Sequence, residues 1–433
     1  VRPITPADQP IDLHQSNDVN PMERNPSAAR TLSRCACSHN MAQNPISPTT
    51  LLDQLDEHTT FTDTRVRTAF ETVRRDVFLP GVPLDEAFAN KTIPVRLDDR
   101  GNATCTATMP SMLAFMLQQL QLEAGHNLLE IGTGTGYTVA LIRQIMGKTG
   151  RVTSLEIERD IAEHAEDNLR RANITGYNLV VVDGAEGYAP RAQYDRIMAT
   201  AGIWDVPLPW VRQLKPDGRI VAPVWIDGLQ VAAAFTLDDD GSLYADTMTP
   251  SAFVYIRGAA AGPQVSKRIG STSLRLIADD IAGIDPIALA TLLSSDYEAV
   301  QLSKPLNKWD YWYGFLPYVM LNETDEAVFA LYHLLQGGQA YGLEGEGFVV
   351  LTPASACFVP YYGVGFAHNY ASADAYFAVE NRLKAWEAAG RPGLDCLRLR
   401  FVPKTHGKPE VSDGKVYERR DHYLAVWMED CPA

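Results

Sequence analysis

The chain is poor in cysteine, with six in 433 residues, of which only Cys35 and Cys37 lie close together. That rules out a disulfide framework and makes a reducing cytoplasm the expected location. No apolar run reaches the roughly 18 residues of a membrane span, and no charged-then-apolar signal segment opens the chain. Positive charge is also short. Lys and Arg number 38 against 53 Asp and Glu, a formal charge of −15 with a pI near 5.1. This argues against nucleic acid or an anionic membrane as partner, since either requires a basic face. There is no internal repeat. Cys35-Ala-Cys37-Ser-His39 has no second pair of ligands, so no metal site is expected.

What is present is organised around Leu128-Leu129-Glu130-Ile131-Gly132-Thr133-Gly134-Thr135-Gly136-Tyr137. It reads as a short apolar strand, a glycine-dense turn and a helix that continues to Met146. Glycines let the backbone bend sharply and approach a ligand that a side chain would block. The helix start offers unpaired N–H groups to a polar ligand. A dinucleotide fingerprint requires its third glycine three positions after the second, and Tyr137 stands there. Glycines at alternate positions after an acidic residue, Glu130, are instead the arrangement of S-adenosylmethionine (SAM) methyltransferases.

One βαβ unit downstream, Arg151–Leu155 reads as a second strand ending in Glu156. An acidic residue there is placed to accept both ribose hydroxyls, the alternative being a solvated strand end. A third apolar strand ends at Asp183-Gly184, where Asp183 can reach an adenine edge. Tyr194–Ala201, containing Thr200, is a fourth, followed by Arg219–Pro223 and Gln230–Thr236. Strands alternating with helices imply a parallel, doubly wound sheet with ligands at the carboxyl ends of its strands. No His/Asp or Cys/His dyad accompanies these motifs, and the fourth strand leads into Ala-Thr-Ala-Gly, not an Asn/Asp-Pro-Pro-Tyr loop for base methylation.

From Thr104 to about Pro223 the chain resembles the protein-L-isoaspartate O-methyltransferase family. The carriers are LLEIGTGTGY, the TSLE strand end, the VDG turn, YDRIMATA and PLPWVRQLKPDGRIVAPV. Ala107-Thr108-Met109-Pro110-Ser111-Met112 is similar to the family's Ser-Gln-Pro segment, with threonine for serine and methionine for glutamine. The wider span from Val77-Phe78-Leu79-Pro80 resembles a branch found with ribosomally made peptides, the FxLD-type methyltransferases. The resemblance implies a class I SAM-methyltransferase fold of the α/β class. It has an N-terminal helical and extended segment and an additional C-terminal α+β domain. It implies SAM contacts from Glu130, Gly132, Thr133, Gly134, Gly136, Tyr137, Glu156, Asp183, Gly184 and Thr200. Thr108 would orient the acceptor carboxylate.

A carboxylate is already a nucleophile at neutral pH, so attack on the sulfonium methyl requires alignment and exclusion of water, not a general base. The ester that forms lets the next backbone amide close a succinimide. The substrate is then either isoaspartate in damaged protein, or an ordinary Asp in a modified, cyclised ribosomal peptide. The additional C-terminal residues favour the second reading. Cys105 is expected to be a buried, inert thiol.

Residues 1–48 are rich in Pro, Asn, Ser and Asp and are expected to be disordered or a spurious extension, Met41 standing shortly before the first helix. Residues 49–257 form the expected methyltransferase domain, with a seventh strand near Phe253–Arg257. Gly258–Pro263 is the expected boundary, and 264–433 a domain for peptide recognition. Within it, helices are expected at Asp325–Leu335 and Ser372–Ala389. The aromatic run Asp310–Pro317 is either a peptide surface or core.

Overall fold

The computed structural model describes residues 48–99, 101–279, 281–322, 327–334, 338–361 and 365–430. The expectations for residues 1–47, the Cys35–His39 cluster included, lie outside the described residues. Helices α1 (Pro48–His58) and α2 (Thr64–Thr72) come first. Asp63 caps α2 by accepting the Arg65 N–H at 2.8 Å. The short α3 (Leu84–Ala87), the hairpin of β1 (Ile93–Leu97) and β2 (Ala103–Ala107), and α4 (Pro110–Gln119) lead to the main sheet.

There, β3 (Asn127–Ile131), α5 (Tyr137–Met146), β4 (Arg151–Glu156), α6 (Arg159–Arg171), β5 (Tyr177–Val181) and β6 (Tyr194–Ala199) alternate. α7 (Leu208–Gln213) then precedes the long β7 (Leu214–Ile226). β3 to β7 are parallel in the order β5-β4-β3-β6-β7. All five residues of β3 are buried, because helices cover both faces of a central parallel strand. β3 begins the strand order in both directions, so its carboxyl end is the switch point where such sheets bind ligands.

Beyond β7 the sheet stops being parallel. Asp227 and Gly228, between Ile226 and Leu229, have φ of 43° and 95°. Two positive values make the tight two-residue turn that Asp-Gly favours, so β8 (Leu229–Leu237) folds straight back against β7. β9 (Leu243–Ala245) follows the Asp238–Gly241 turn, and β10 (Met248–Pro250) pairs with β8. The expected seventh strand at 253–257 is extended, but among the described residues its only strand-like pairing is a bridge between Tyr255 and Gly202.

The second sheet holds β11 (Ser266–Arg268), β12 (Arg275–Ile277), β13 (Tyr297–Gln301) and β14 (Val328–His333). α8 (Pro286–Leu293) lies between β12 and β13, and a wide helical turn, Asp310–Phe315, with α9 (Leu316–Leu321) precedes β14. After a small hairpin, β15 (Gln339–Ala340) and β16 (Leu343–Glu344), come β17 (Glu346–Thr352), β18 (Ser355–Pro360), β19 (Phe366–Ala371) and α10 (Asp374–Ala388). Its order is β11-β12-β14-β17-β18-β19-β13. The helix expected over Asp325–Leu335 is, in its described part, strand β14. Val328-Phe-Ala-Leu-Tyr-His is paired on both sides, and that packing overrides any local helical preference. The aromatic run is core. Tyr311, Trp312, Phe315 and Leu316 are buried, and Phe315 meets both Phe348 and Trp386.

The last three strands depart from the expected division at 258–263. β20 (Leu397–Pro403), β21 (Gly414–Glu418) and β22 (His422–Met428) return to the first sheet, where β20 pairs with β9. Phe401 of β20 packs against Phe235 of β8 with ring centroids 5.4 Å apart. One continuous cluster runs from Leu129 through Phe235 and Phe401 to Phe348 and Trp386. A boundary was expected because residues 258–263 are small and proline-ended, but local composition does not record a strand that returns from far along the chain.

A shared core predicts shared unfolding. Phe401→Ala should cost about 3–5 kcal/mol, the range for removing a buried aromatic ring. Urea unfolding followed by fluorescence should move as one transition, whereas an unmoved first transition would mark two independent domains.

Candidate functional site

The loop after β3 is tied down by the strands on either side of it. The N–H groups of Gly132 and Thr133 donate to the Leu155 carbonyl of β4 at 2.9 and 3.1 Å. On the other side, the Thr200 hydroxyl at the end of β6 donates to the Gly132 carbonyl at 2.7 Å. Gly132 has φ 95°, and a Cβ there would lie 2.8 Å from that hydroxyl oxygen. Glu156, at the tip of β4, accepts from the Gly134 N–H at 3.1 Å and the Glu158 N–H at 3.2 Å.

These groups line one open cleft at the carboxyl ends of β3, β4 and β6, about 880 Å³ with the open solvent at its mouth included. Of the expected residues, Thr108, Gly132, Thr133, Gly134, Tyr137, Glu156, Gly184 and Thr200 border it. Tyr137 contributes little polar surface, since its ring packs between Phe70 and Phe78, 6.3 and 5.5 Å away. A smaller hollow adjoins the Thr108 end, formed with Thr92, Met109, Met112, Ala252 and Phe253.

Three expected contact residues do not line the cleft. Gly136 has φ 84° at the start of α5, and a Cβ would meet Leu169 at 3.1 Å, so it serves helix packing. Asp183 accepts from the Ala185 N–H at 3.0 Å and the Ala259 N–H at 2.7 Å, joining the end of β5 to residues 258–260. Glu130 lies beneath the loop, fully buried, in a hydrogen-bonded row with Ser154 and Thr133, each step 2.6 Å. Burial, opposed in part by the Ser154 bond and reinforced by the charge of Glu156, pushes the Glu130 carboxyl up to about 8.

Other residues were missed by sequence reasoning. Arg75 is wholly buried and donates to the carbonyls of Ala89, Lys91 and Thr108 at 2.8, 3.0 and 3.1 Å. It thereby fixes the backbone at Thr108, with no carboxylate partner among the described residues. Burial pushes it down to about 10, still charged at neutral pH. Val254, Tyr255, Ile256 and Arg257 roof the cleft, and Arg257 pairs with Glu158. No motif marked them; the register of 253–257 against Gly202 places them. Cys105 is buried as expected, and burial pushes its thiol up to about 11.

A switch point carrying a glycine cradle, with an acid at the tip of the next strand, is a nucleotide-cofactor site, and with glycines at alternate positions it has the α/β architecture of class I SAM-dependent methyltransferases. The model of the protein-L-isoaspartate(D-aspartate) O-methyltransferase family matches residues 47–261. Protein-L-isoaspartate O-methyltransferase 2 of Archaeoglobus fulgidus is 34% identical over 194 residues, 45% of this chain and 85% of that protein. The Methanopyrus kandleri protein-L-isoaspartate O-methyltransferase is 35% identical over 198 residues, 45% of this chain and 84% of that protein. A solved protein-L-isoaspartate O-methyltransferase superposes with a TM-score of 0.47 at 22% identity, over 82% of this chain and 96% of that one. That superposition is too loose to add to the assignment. The chain belongs to the protein-L-isoaspartate O-methyltransferase family, whose members are SAM-dependent protein carboxyl O-methyltransferases.

Glu130 gives the fold a pH dependence of defined sign. Its folded-state value of about 8 stands above the ordinary 4.5, so between those values the folded protein holds a proton that the unfolded chain has released. Stability from this group is complete below about pH 4.5 and is lost as pH rises through about 8. At about 1.4 kcal/mol per pH unit, the upper bound over that window is about 5 kcal/mol. Glu130→Gln should remove this slope, so the gap in denaturation midpoint between variant and wild type should widen in the variant's favour from pH 5 to 8.5. A constant gap would mean that Glu130 is ionised throughout.

Proposed function

We propose that this protein methylates the carboxylate of isoaspartyl residues in proteins, in the repair sense of the family. The observation that supports this most is a single cleft bordered by Glu156 at one side and by Thr108 at another. The cleft suits the donor. Gly132 and Gly134 bring bare backbone to its floor, both with positive φ. Glu156 retains acceptor capacity for ribose hydroxyls beside its two N–H bonds. When bound, SAM supplies an electrophilic methyl group on a sulfonium.

The chain's own residues then hold and orient. Thr133 and Thr200 keep the loop in place, and the Thr200 hydroxyl is directed to the loop carbonyls, not to a ligand. Thr108, its backbone fixed by Arg75, donates a hydrogen bond to one acceptor oxygen and leaves the other free to attack. No side chain is required as a base, because the acceptor is already ionised. The roof, Val254–Arg257, keeps water from the aligned groups.

The peptide-maturation reading drew on the FxLD-type resemblance and on the added residues after 263. β20–β22 join the catalytic sheet, and the similarity is to proteins named for isoaspartate, so the repair reading is the better supported.

Glu156→Ala should weaken SAM binding by about 1.5–3 kcal/mol, roughly 10- to 150-fold, as expected for a hydrogen bond to a charged group. Titration calorimetry measures this directly, and full affinity in a folded variant would remove Glu156 from the donor site. Thr108→Val should lower turnover on an isoaspartyl peptide by about 10- to 100-fold with SAM affinity near wild type, while Thr108→Ser retains most activity. A valine variant as fast as wild type would demote Thr108 to a loop residue. Equal rates on matched Asp and isoAsp peptides would overturn the repair reading.

A further inference from the structure

The roof of the cleft is one extended segment that runs from the Thr108 end to the Glu156 side. Ala252 and Phe253 border the hollow beside Thr108, and Arg257 pairs with Glu158. The buried Gln230 holds this segment at Phe253, accepting its N–H at 2.6 Å and donating to its carbonyl at 3.2 Å. Gly202 holds the next stretch, donating to Val254 at 2.8 Å and accepting from Ile256 at 2.9 Å. These contacts lie within the span of the family match, 47–261.

The remaining supports come from the other end of the chain. The turn between β21 and β22, Arg419-Arg420-Asp421-His422, meets four separate stretches at the back of the cleft. Arg420 donates to the carbonyl of Ala259 and, at 2.6 Å, to that of Ala261. Arg419, buried, donates to Asp279 at 2.7 Å and to the Trp225 carbonyl at 3.2 Å, and lies over the Trp204 ring. Asp279 in turn accepts from the Trp225 indole at 3.2 Å, and that indole stands edge-on to Tyr255 at 5.5 Å. Asp205, which follows the end of β6, accepts from the Asp421 N–H at 2.6 Å and is paired with the His422 ring at 2.8 Å.

Resting on the proposed isoaspartyl reading, we infer that the Arg419–His422 turn is a positioning device that sets the acceptor wall of the cleft, residues 252–261 and 200–205, against Thr108. Apart from sheet neighbours such as Phe401, Lys404 and Tyr417, its contacts fall on residues 204, 205, 225, 259, 261 and 279. Among the described residues none reaches the Gly132–Gly136 loop or Glu156 directly, these being held by their own strands. Its reach to the donor side is indirect, through Ala259 on Asp183 and Arg257 on Glu158, so the acceptor side should feel its loss first. Arg420 is the discriminating residue, because it is exposed and its two bonds fall on the segment that continues from the roof.

The test uses the full chain, wild type against Arg420→Ala and Arg420→Lys. Arg420→Ala should raise KM for an isoaspartyl peptide about 10- to 100-fold and leave the SAM dissociation constant within about twofold, since a small displacement of a positioned reactant is costly. Arg420→Lys, which keeps the charge and part of the bonding, should recover part of the loss. Amide exchange in Arg420→Ala should quicken over 252–261 and stay unchanged over 132–136. An unchanged KM, or a parallel rise in KM and in the SAM dissociation constant, would overturn the inference. A wild-type enzyme that binds SAM but ignores isoaspartyl peptides would instead overturn the functional reading. Amide exchange then decides alone, an unchanged rate over 252–261 sinking this inference.

Discussion

The floor of the cleft depends on one constraint, the need of every buried backbone group for a partner. At the end of β3 the chain must leave the sheet while the strands on both sides continue past it. Two successive N–H groups, Gly132 and Thr133, are taken by the same carbonyl, Leu155, and the next free N–H, Gly134, by Glu156. The Gly132 carbonyl is satisfied from β6 by Thr200. A residue with a Cβ at 132 would displace that hydroxyl, and the loop would lose its tie to β6. The glycine spacing is thus a record of hydrogen bonding as much as of ligand clearance.

The same constraint explains what was legible in the sequence. The β3 loop, the acid at the end of β4 and the alternation of strands and helices are local patterns with local causes, and each forms where expected. Gly136 was read as a ligand contact from the alternating glycines, and Asp183 from its place at the end of the third strand. Leu169 leaves no room for a Cβ at 136 and the Ala259 N–H engages Asp183, distant neighbours that no local pattern reveals. The Asp227-Gly228 hairpin was visible and was passed over, because a run of parallel strands invites the next one to be read as parallel. β14 failed for the opposite reason, its state being set by neighbours on both sides.

Two buried ionisable groups frame the cleft without touching it, and they solve the cost of burial differently. Arg75 keeps its charge by meeting carbonyl oxygens, so that a wholly buried cation anchors the turn at Thr108. Glu130 accepts a bond from Ser154 and lies near the charge of Glu156, and its burial holds its proton near neutrality.

The C-terminal residues then take on a meaning that an appended domain would not have. β8 and β9 end the family-matched part of the sheet at an edge, and an edge strand of apolar residues has unpaired backbone groups and a face to cover. β20 supplies both needs, pairing with β9 and placing Phe401 on Phe235. Once β20 is in place, β22 and β21 extend the sheet, and the turn between them falls behind the cleft roof. The contacts of Arg419 and Arg420 with residues 225, 259, 261 and 279 follow from that geometry. Completing the sheet and bracing the acceptor wall are accordingly one structural act, and a variant that breaks the seam at β9 cannot leave the wall as it was.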